Sequence, residues 1–343
     1  QMEIQWYNAS RTPNEAILKS HKNTSQFLEY GSPDDYRNYA GILGCTEAET
    51  FSKIYGGVQV VNSGHMGYTD ALDWAMPIDG HGGSLALFCP EERIWKDNVK
   101  SLLGTQNECG EAAYSAIRKT FNNEKQMWVN QYGDPTYADD FGWPGLSGRM
   151  LERSVISSMP FETSFCVGVG KHRFVEGVKH NTQDWYHSGV QSIMPTWRWW
   201  IENNGGSSSR LSVDLNVDID WDDAWNFGSS LKVNGKLTAG DHLMRLYKTM
   251  IPVTSGGTLR LVYKTSTPGS VEVRLATESK VKGEMVTLSN PTVTDKNGWT
   301  IAEYDLSQLN GKTVYMISLN MKSETEVADY VLSLGELAVL PAA

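Results

Sequence analysis

The sequence predicts an α/β unit followed by an all-β unit, two folding units in 343 residues. Three observations point that way. Residues 2–121 alternate short β-branched or aromatic runs with helical patterns, the order that builds a parallel sheet with crossover helices. From about residue 160 the texture changes to short alternating segments separated by Gly, Pro, Asn and Asp, the mark of an antiparallel sandwich. The length also exceeds the roughly 250 to 300 residues at which single cores stop growing.

Taken in order, "MEIQWY" (2–7) reads as a strand and "PNEAILKSH" (13–21) as a helix opened by Pro13. "SQFLEY" (25–30), "KIYGGVQVV" (53–61) and "GSLALF" (83–88) read as three more strands, with helical patterns at 93–103 and 109–121. Four such units are half of an eight-stranded barrel, which takes ~250 residues when complete. Half a barrel leaves two open edges. Either the sheet is a small open one, or the remaining units lie upstream of Gln1 or on another chain. The change of texture falls near "SSMPFETSF" (157–165). Beyond it, segments such as "SRLSVDLNVDIDW", "HLMRLYKTMIPV", "GTLRLVYKT" and "YVLSLGELAVL" read as sandwich strands.

Forty acidic against thirty basic residues give a net charge of −10, which argues against a nucleic-acid partner because phosphate binding needs a basic footprint. No apolar run approaches the ~20 residues that cross a bilayer. The opening residues "QMEIQWYNAS" show neither a basic nor a continuous apolar signal region. Cys45, Cys89, Cys109 and Cys166 are too dispersed to imply a zinc site or a disulfide framework. Tryptophan and tyrosine, 12 and 15 residues, outnumber the 9 phenylalanines, and rings with polar handles suit stacking on carbohydrate or a wet domain interface. The densest group is "PTWRWW" (195–200), where Trp197, Trp199 and Trp200 are read chiefly as packing between the two units, with Arg198 at the rim.

Three junction segments, "SMPFETSFCVGVGKHRF" (158–174), "DWYHSGVQSIMPTW" (184–197) and "DDAWNFGSSLKVNG" (222–235), resemble in order and spacing the barrel-to-sandwich region of glycoside hydrolase family 85, the endo-β-N-acetylglucosaminidases. The upstream strands "IQWYNAS", "SQFLEY", "YGGVQV" and "SLALFCPE" are similar to that family's strand motifs. The resemblance implies the C-terminal half of a (β/α)8 TIM barrel over 1–160, followed by a jelly-roll-like, carbohydrate-binding-module-like β-sandwich over 161–343. It implies hydrolysis of the N,N'-diacetylchitobiose core of N-linked glycans by a substrate-assisted retaining mechanism, with transglycosylation as a side reaction and no metal or cofactor. The family's Asn-x-Glu motif ends the fourth barrel strand, and "IQWYNAS" corresponds to the fifth, so the main acid is expected outside this chain. Partners implied are N-linked glycans, glycoproteins and the N-terminal half of the barrel, upstream or on another chain.

By the same resemblance Tyr7 assists the cyclising acetamido group, and Phe27, Glu29, Tyr30, Gln59 and Phe88 bind substrate. Each has a competing reading as an ordinary core or rim residue. The sequence departs from the family at Asn8, Glu29, Gln59 and Glu91-Glu92. Glu29, Glu91 and Glu92 leave open a carboxylate pair within the chain. Asn122-Asn123-Glu124 matches Asn-x-Glu literally but follows a helical pattern, which marks it as a chance match. Asp214, Asp218, Asp220 and Asp222 fall on one strand face and read as solvated rather than calcium-binding, since no EF-hand glycine or distal glutamate accompanies them. "GVGKH" (168–172) lacks the remainder of a phosphate loop. A location outside a bacterial cell, secreted or on its surface, is expected, with a cytoplasmic one as the alternative. The rival function is a non-catalytic, lectin-like glycan binder.

Overall fold

The computed structural model describes residues 3–7, 9–10, 12–29, 49, 52–59, 84–91, 110–133, 143, 145–147, 154–196, 199–203, 214–280 and 283–342. Four strands, β1 (Ile4–Tyr7), β2 (Thr24–Leu28), β3 (Ile54–Gln59) and β4 (Ser84–Phe88), lie side by side in chain order, all parallel. β1, β3 and β4 fall within runs that sequence pattern marked as strands, and β2 overlaps its run at 25–30 but starts one residue earlier, at Thr24. The predicted helix at 93–103 lies outside the described residues.

Helix α1 (Glu15–Ser20) connects β1 to β2, and polar side chains settle its ends. The Asn14 side chain accepts from the Ile17 amide at 3.1 Å, satisfying one of the orphan donors of the first turn. The Asn14 amide in turn donates to the Oε1 of buried Gln26, 2.7 Å away, which ties the helix start to β2. At the other end Lys53 Nζ donates to the Leu18 carbonyl at 2.9 Å, putting a cation at the helix C-terminus.

Helix α2 (Glu111–Val129) follows, opened by Gly110 at φ 89°, a left-handed conformation that favours glycine. The pattern at 109–121 foresaw its first half. The helix runs on through Asn122–Glu124 because Met127 and Val129 resume a buried stripe.

The rest is a sandwich of two antiparallel sheets. Among the described residues, one has the order β10 (Trp200–Asn203), β13 (Gly240–Val253), β19 (Lys312–Ser323), β15 (Val271–Ala276), β16 (Met285–Thr287). The other has the order β11 (Leu215–Asp220), β12 (Ser230–Leu237), β20 (Val327–Leu340), β14 (Thr258–Thr265), β18 (Trp299–Asp305), β17 (Thr292–Lys296), with β5 (Phe161–Thr163) paired to β20. Period-two alternation drives it. Leu215, Val217 and Ile219 of β11 are buried, as are Leu259 and Leu261 of β14 and Ile317, Leu319 and Met321 of β19, and all join one core. Two short ribbons lie against it, β6 (Val169–Gly170) with β9 (Trp185–Tyr186), and β7 (Phe174–Val175) with β8 (Val178–Lys179).

One stripe of α2 lies along the sandwich. Tyr114 packs on Trp221 at a tilt of 43° with centroids 4.8 Å apart, Arg118 lies over the same indole at 4.8 Å, and Phe121 meets Trp199 at 6.1 Å. Val129 packs with Trp200, Ala276 and Met316. Trp199 and Trp200 therefore pack between α2 and the β-sandwich. Trp197 and Arg198 lie outside the described residues.

The acidic run is also placed. Leu215, Val217 and Ile219 turn inward, leaving the even positions on the outer face. Its aspartates are not simply solvated: Asp214, Asp218, Asp220 and Asp222 each meet a cation, Lys236, Arg118, Lys232 and Lys171 respectively. These partners are remote in sequence, so strand periodicity gave no sign of them.

Candidate active site

Parallel strands present their C-terminal ends together, and side chains there converge on one mouth. Tyr7 is the last residue of β1 and stands opposite Phe27 of β2 in register; Gln59, the last of β3, stands opposite Phe88, the last of β4. The rings of Tyr7, Phe27 and Phe88 form one group. Centroids are 5.3 Å apart for Tyr7 and Phe27, edge to face, 6.1 Å for Tyr7 and Phe88, stacked, and 6.2 Å for Phe27 and Phe88. Tyr7 is 49% exposed whereas Phe27 is buried, so the phenol borders solvent with an apolar floor behind it.

Gly57 makes that floor possible, and sequence reading passed over it. A Cβ there would lie 2.5 Å from the Leu28 carbonyl oxygen and 2.7 Å from two ring atoms of Phe27. The bare backbone of β3 lets the Phe27 ring lie flat against it. The signal was present in "YGGVQV", since a glycine inside an otherwise β-branched strand marks a close approach.

Glu29 follows β2, half-buried, and its amide donates to the Ser10 carbonyl at 3.0 Å, holding the chain after β1 beside the end of β2. Glu91, also half-buried, is the second residue of a helical turn that begins at Pro90, after Cys89, whose φ is 50°. Tyr30 and Glu92 lie outside the described residues, and Gln59 is placed by its backbone alone. Asn122-Asn123-Glu124 sits in the interior of α2, far along the chain from any strand end, as the helical pattern implied. Among the described residues no group of His, Cys, Asp and Glu is arranged to hold a metal ion.

A second polar cluster joins α2 to the ribbons. Lys171 Nζ lies 3.0 Å from Glu111 and 3.3 Å from Asp222, and hydrogen bonding to Glu111 holds its ammonium pKa above the usual lysine value. Tyr114 donates its hydroxyl proton to Asp184 Oδ1 at 2.7 Å. "GVGKH" is thus a strand edge with its lysine already ion-paired, which is why it is no phosphate loop.

The described residues thus form a parallel sheet ending in an open aromatic mouth, with a β-sandwich joined through a helix. The comparisons with known proteins give the family. The model of glycosyl hydrolase family 85 matches residues 1–173, and the chain belongs to that family. A cytosolic endo-β-N-acetylglucosaminidase of Homo sapiens is 30% identical over 231 residues, covering 66% of this chain and 26% of that protein. Its counterpart from Mus musculus is 30% identical over 234 residues, covering 67% of this chain and 26% of that protein. Among solved structures, the glycoside hydrolase domain of Endo-D from Streptococcus pneumoniae superposes with a TM-score of 0.67 at 25% identity, covering 99% of this chain and 53% of that one. The chain thus spans about a quarter of the length of those curated relatives.

These relatives correct the expected location. Those from human, mouse, Danio rerio and Arabidopsis thaliana are named cytosolic, so a secreted or cell-surface assignment has no support from them, although Endo-D is bacterial. The reason is physical: dispersed thiols are compatible with either compartment and carry no discrimination. Among the described residues no helix is long and apolar enough to cross a membrane.

Proposed function

We propose that this chain is part of an endo-β-N-acetylglucosaminidase that cleaves the N,N'-diacetylchitobiose core of N-linked glycans. One observation carries the reading: Tyr7, Phe27 and Phe88 gather within 5.3 to 6.2 Å at the ends of parallel strands in a chain of family 85. Residues 1–160 are assigned to the C-terminal half of a (β/α)8 barrel and 161–343 to its sandwich. The exposed face of β1 supports this, because Ile4 and Trp6, two residues apart on one face, are 54% and 50% exposed, apolar surface that the packed elements of a complete barrel would cover.

In the proposed reaction the substrate's 2-acetamido oxygen attacks the anomeric carbon as the glycosidic bond breaks, and the leaving oxygen takes a proton from an acid. The resulting oxazoline is opened by water with net retention, or by a sugar hydroxyl in transglycosylation. Tyr7 is assigned to hydrogen-bond the acetamido group as it cyclises, with Phe27 and Phe88 flooring its subsite, and Glu29, Tyr30 and Gln59 are assigned to bind substrate. The proton donor is assigned to a strand outside these 343 residues.

Incubating the full-length natural polypeptide with an N-glycosylated protein tests this. The expected product is a free glycan bearing one reducing-end N-acetylglucosamine, with the other left on asparagine. Glycan binding without cleavage would overturn the proposal in favour of a lectin-like protein.

A further inference from the structure

The stripe of α2 that faces the sandwich runs Tyr114, Arg118, Phe121, spaced by four and then three residues, and the next position on it is Lys125. An amine therefore falls where the pattern calls for an apolar side chain. Half-buried, Lys125 reaches a small cleft of about 20 Å³ whose other walls are Tyr132, Gly133, Trp199, Ile201, Leu215 and Val217, the last four buried. Gly133, at φ 70°, leaves bare backbone beside the lysine tip: a Cβ there would lie 3.2 Å from Lys125 Cε and 3.5 Å from its Nζ.

Lys125 has no ion pair or hydrogen bond among the described residues, and burial is what acts on its charge. The acids on or beside β10 and β11 are committed to other cations: Glu202 to Arg245, Asp214 to Lys236, Asp218 to Arg118 and Asp220 to Lys232. Glu124, beside it on α2, is engaged with another residue. The carbonyls at the helix end are occupied too. Those of Gln126 and Met127 accept from the Trp143 indole at 3.1 and 3.2 Å, and that of Trp128 accepts from the Ser147 amide at 2.8 Å. Burial without a counter-charge holds the Lys125 ammonium below the usual lysine value, so more of this amine is uncharged and nucleophilic near neutrality.

We propose that Lys125 is a covalent modification site that takes a small uncharged acyl group, such as acetyl, from an activated thioester. Its Nζ lone pair attacks the thioester carbonyl carbon. The C–N bond forms, the C–S bond breaks with its electron pair going to sulfur, and the surplus proton on nitrogen passes to the thiolate, leaving an amide and a thiol. The cleft sets the choice of acyl group. Its volume suits a group about the size of one water or a methyl, and its apolar walls offer no partner to an acyl chain that ends in a carboxylate. The amide removes an unpaired ammonium from the contact between α2 and the sandwich, so modification tightens that contact. Glycan cleavage plays no part in it.

The test is a time course of the full-length natural polypeptide with S-acetyl-N-acetylcysteamine near neutral pH, read by peptide mass mapping. Lys125 should be acetylated about tenfold faster than Lys119, which is exposed on the same helix, and its rate should level off below the usual lysine range as pH rises. The S-succinyl analogue should show no such advantage at Lys125. Lys125→Met, which removes the buried charge, should raise the thermal midpoint by about 2–5 °C, whereas Lys119→Met should leave it unchanged. A Lys125 rate no greater than that of Lys119, an equal advantage with the succinyl donor, or a midpoint that falls in Lys125→Met overturns the proposal. The rates are read on the unsubstituted chain, so they do not depend on a variant folding.

Discussion

Replacing Glu202 by glutamine keeps the side-chain shape and removes a buried anion. Its Oε2 lies 2.5 Å from Arg245 Nη1, and the two side chains are 11% and 2% exposed, so water cannot take over the carboxylate's role. Breaking one partner of a buried pair costs roughly 3–5 kcal/mol, against about 0–1 for a surface pair. The loss reaches the helix as well. Arg245 stacks over Trp200 at 4.1 Å, and Trp200 packs on Val129 at the end of α2. With about 2–4 °C per kcal/mol for a unit of this size, the midpoint of thermal unfolding should fall by about 6–20 °C. Circular dichroism melts of Glu202→Gln, Arg245→Met and Glu202→Leu/Arg245→Met would measure it. The double variant should recover much of the loss, because an apolar pair needs no counter-charge. A Glu202→Gln cost below about 1 kcal/mol, or a double variant no more stable than the single ones, would refute the reasoning.

Gly57→Ala should push the Phe27 ring off β3, costing about 1–3 kcal/mol and lowering activity more than Gly→Ala changes at exposed turns such as Gly311. Gly177→Ala meets Trp299 at 2.5 Å with φ at 80°, so the ribbon should loosen and its amide protection in hydrogen exchange should drop. Burial pushes the Tyr304 phenol up to about 12 from an ordinary value near 10. Its contribution is fully present below pH ~10 and is lost as pH rises through about 12, because the unfolded chain ionises first; the cost reaches about 2–3 kcal/mol. Urea midpoints across that range should fall for the native chain more than for Tyr304→Phe.

Strands were legible where one physical pattern decided them. β1, β3 and β4 are short runs rich in apolar residues, and β11 alternates strictly, Leu215, Val217 and Ile219 against Asn216, Asp218 and Asp220. β10 was not, because Trp200–Asn203 becomes a strand only through pairing with His242–Arg245, remote in sequence. β5 and β16 are three residues each, too short for a period to register. Of the site, residue types at strand ends could be read, since Tyr7, Phe27 and Phe88 each end or nearly end an apolar run. Their mutual distances could not be read. The need for Gly57 beneath Phe27 depends on the lateral register of β2 and β3, and the cation partners of Asp214 to Asp222 depend on the folding of the whole sandwich.

The most direct measurement is the steady-state rate of glycan release by the full-length natural polypeptide and its Tyr7→Phe variant. Removing a hydrogen bond made as the acetamido group cyclises should lower kcat by about tenfold to a thousandfold with KM little changed. Unaltered kcat in a folded Tyr7→Phe enzyme would contradict the placement of the reaction at the Tyr7, Phe27 and Phe88 mouth.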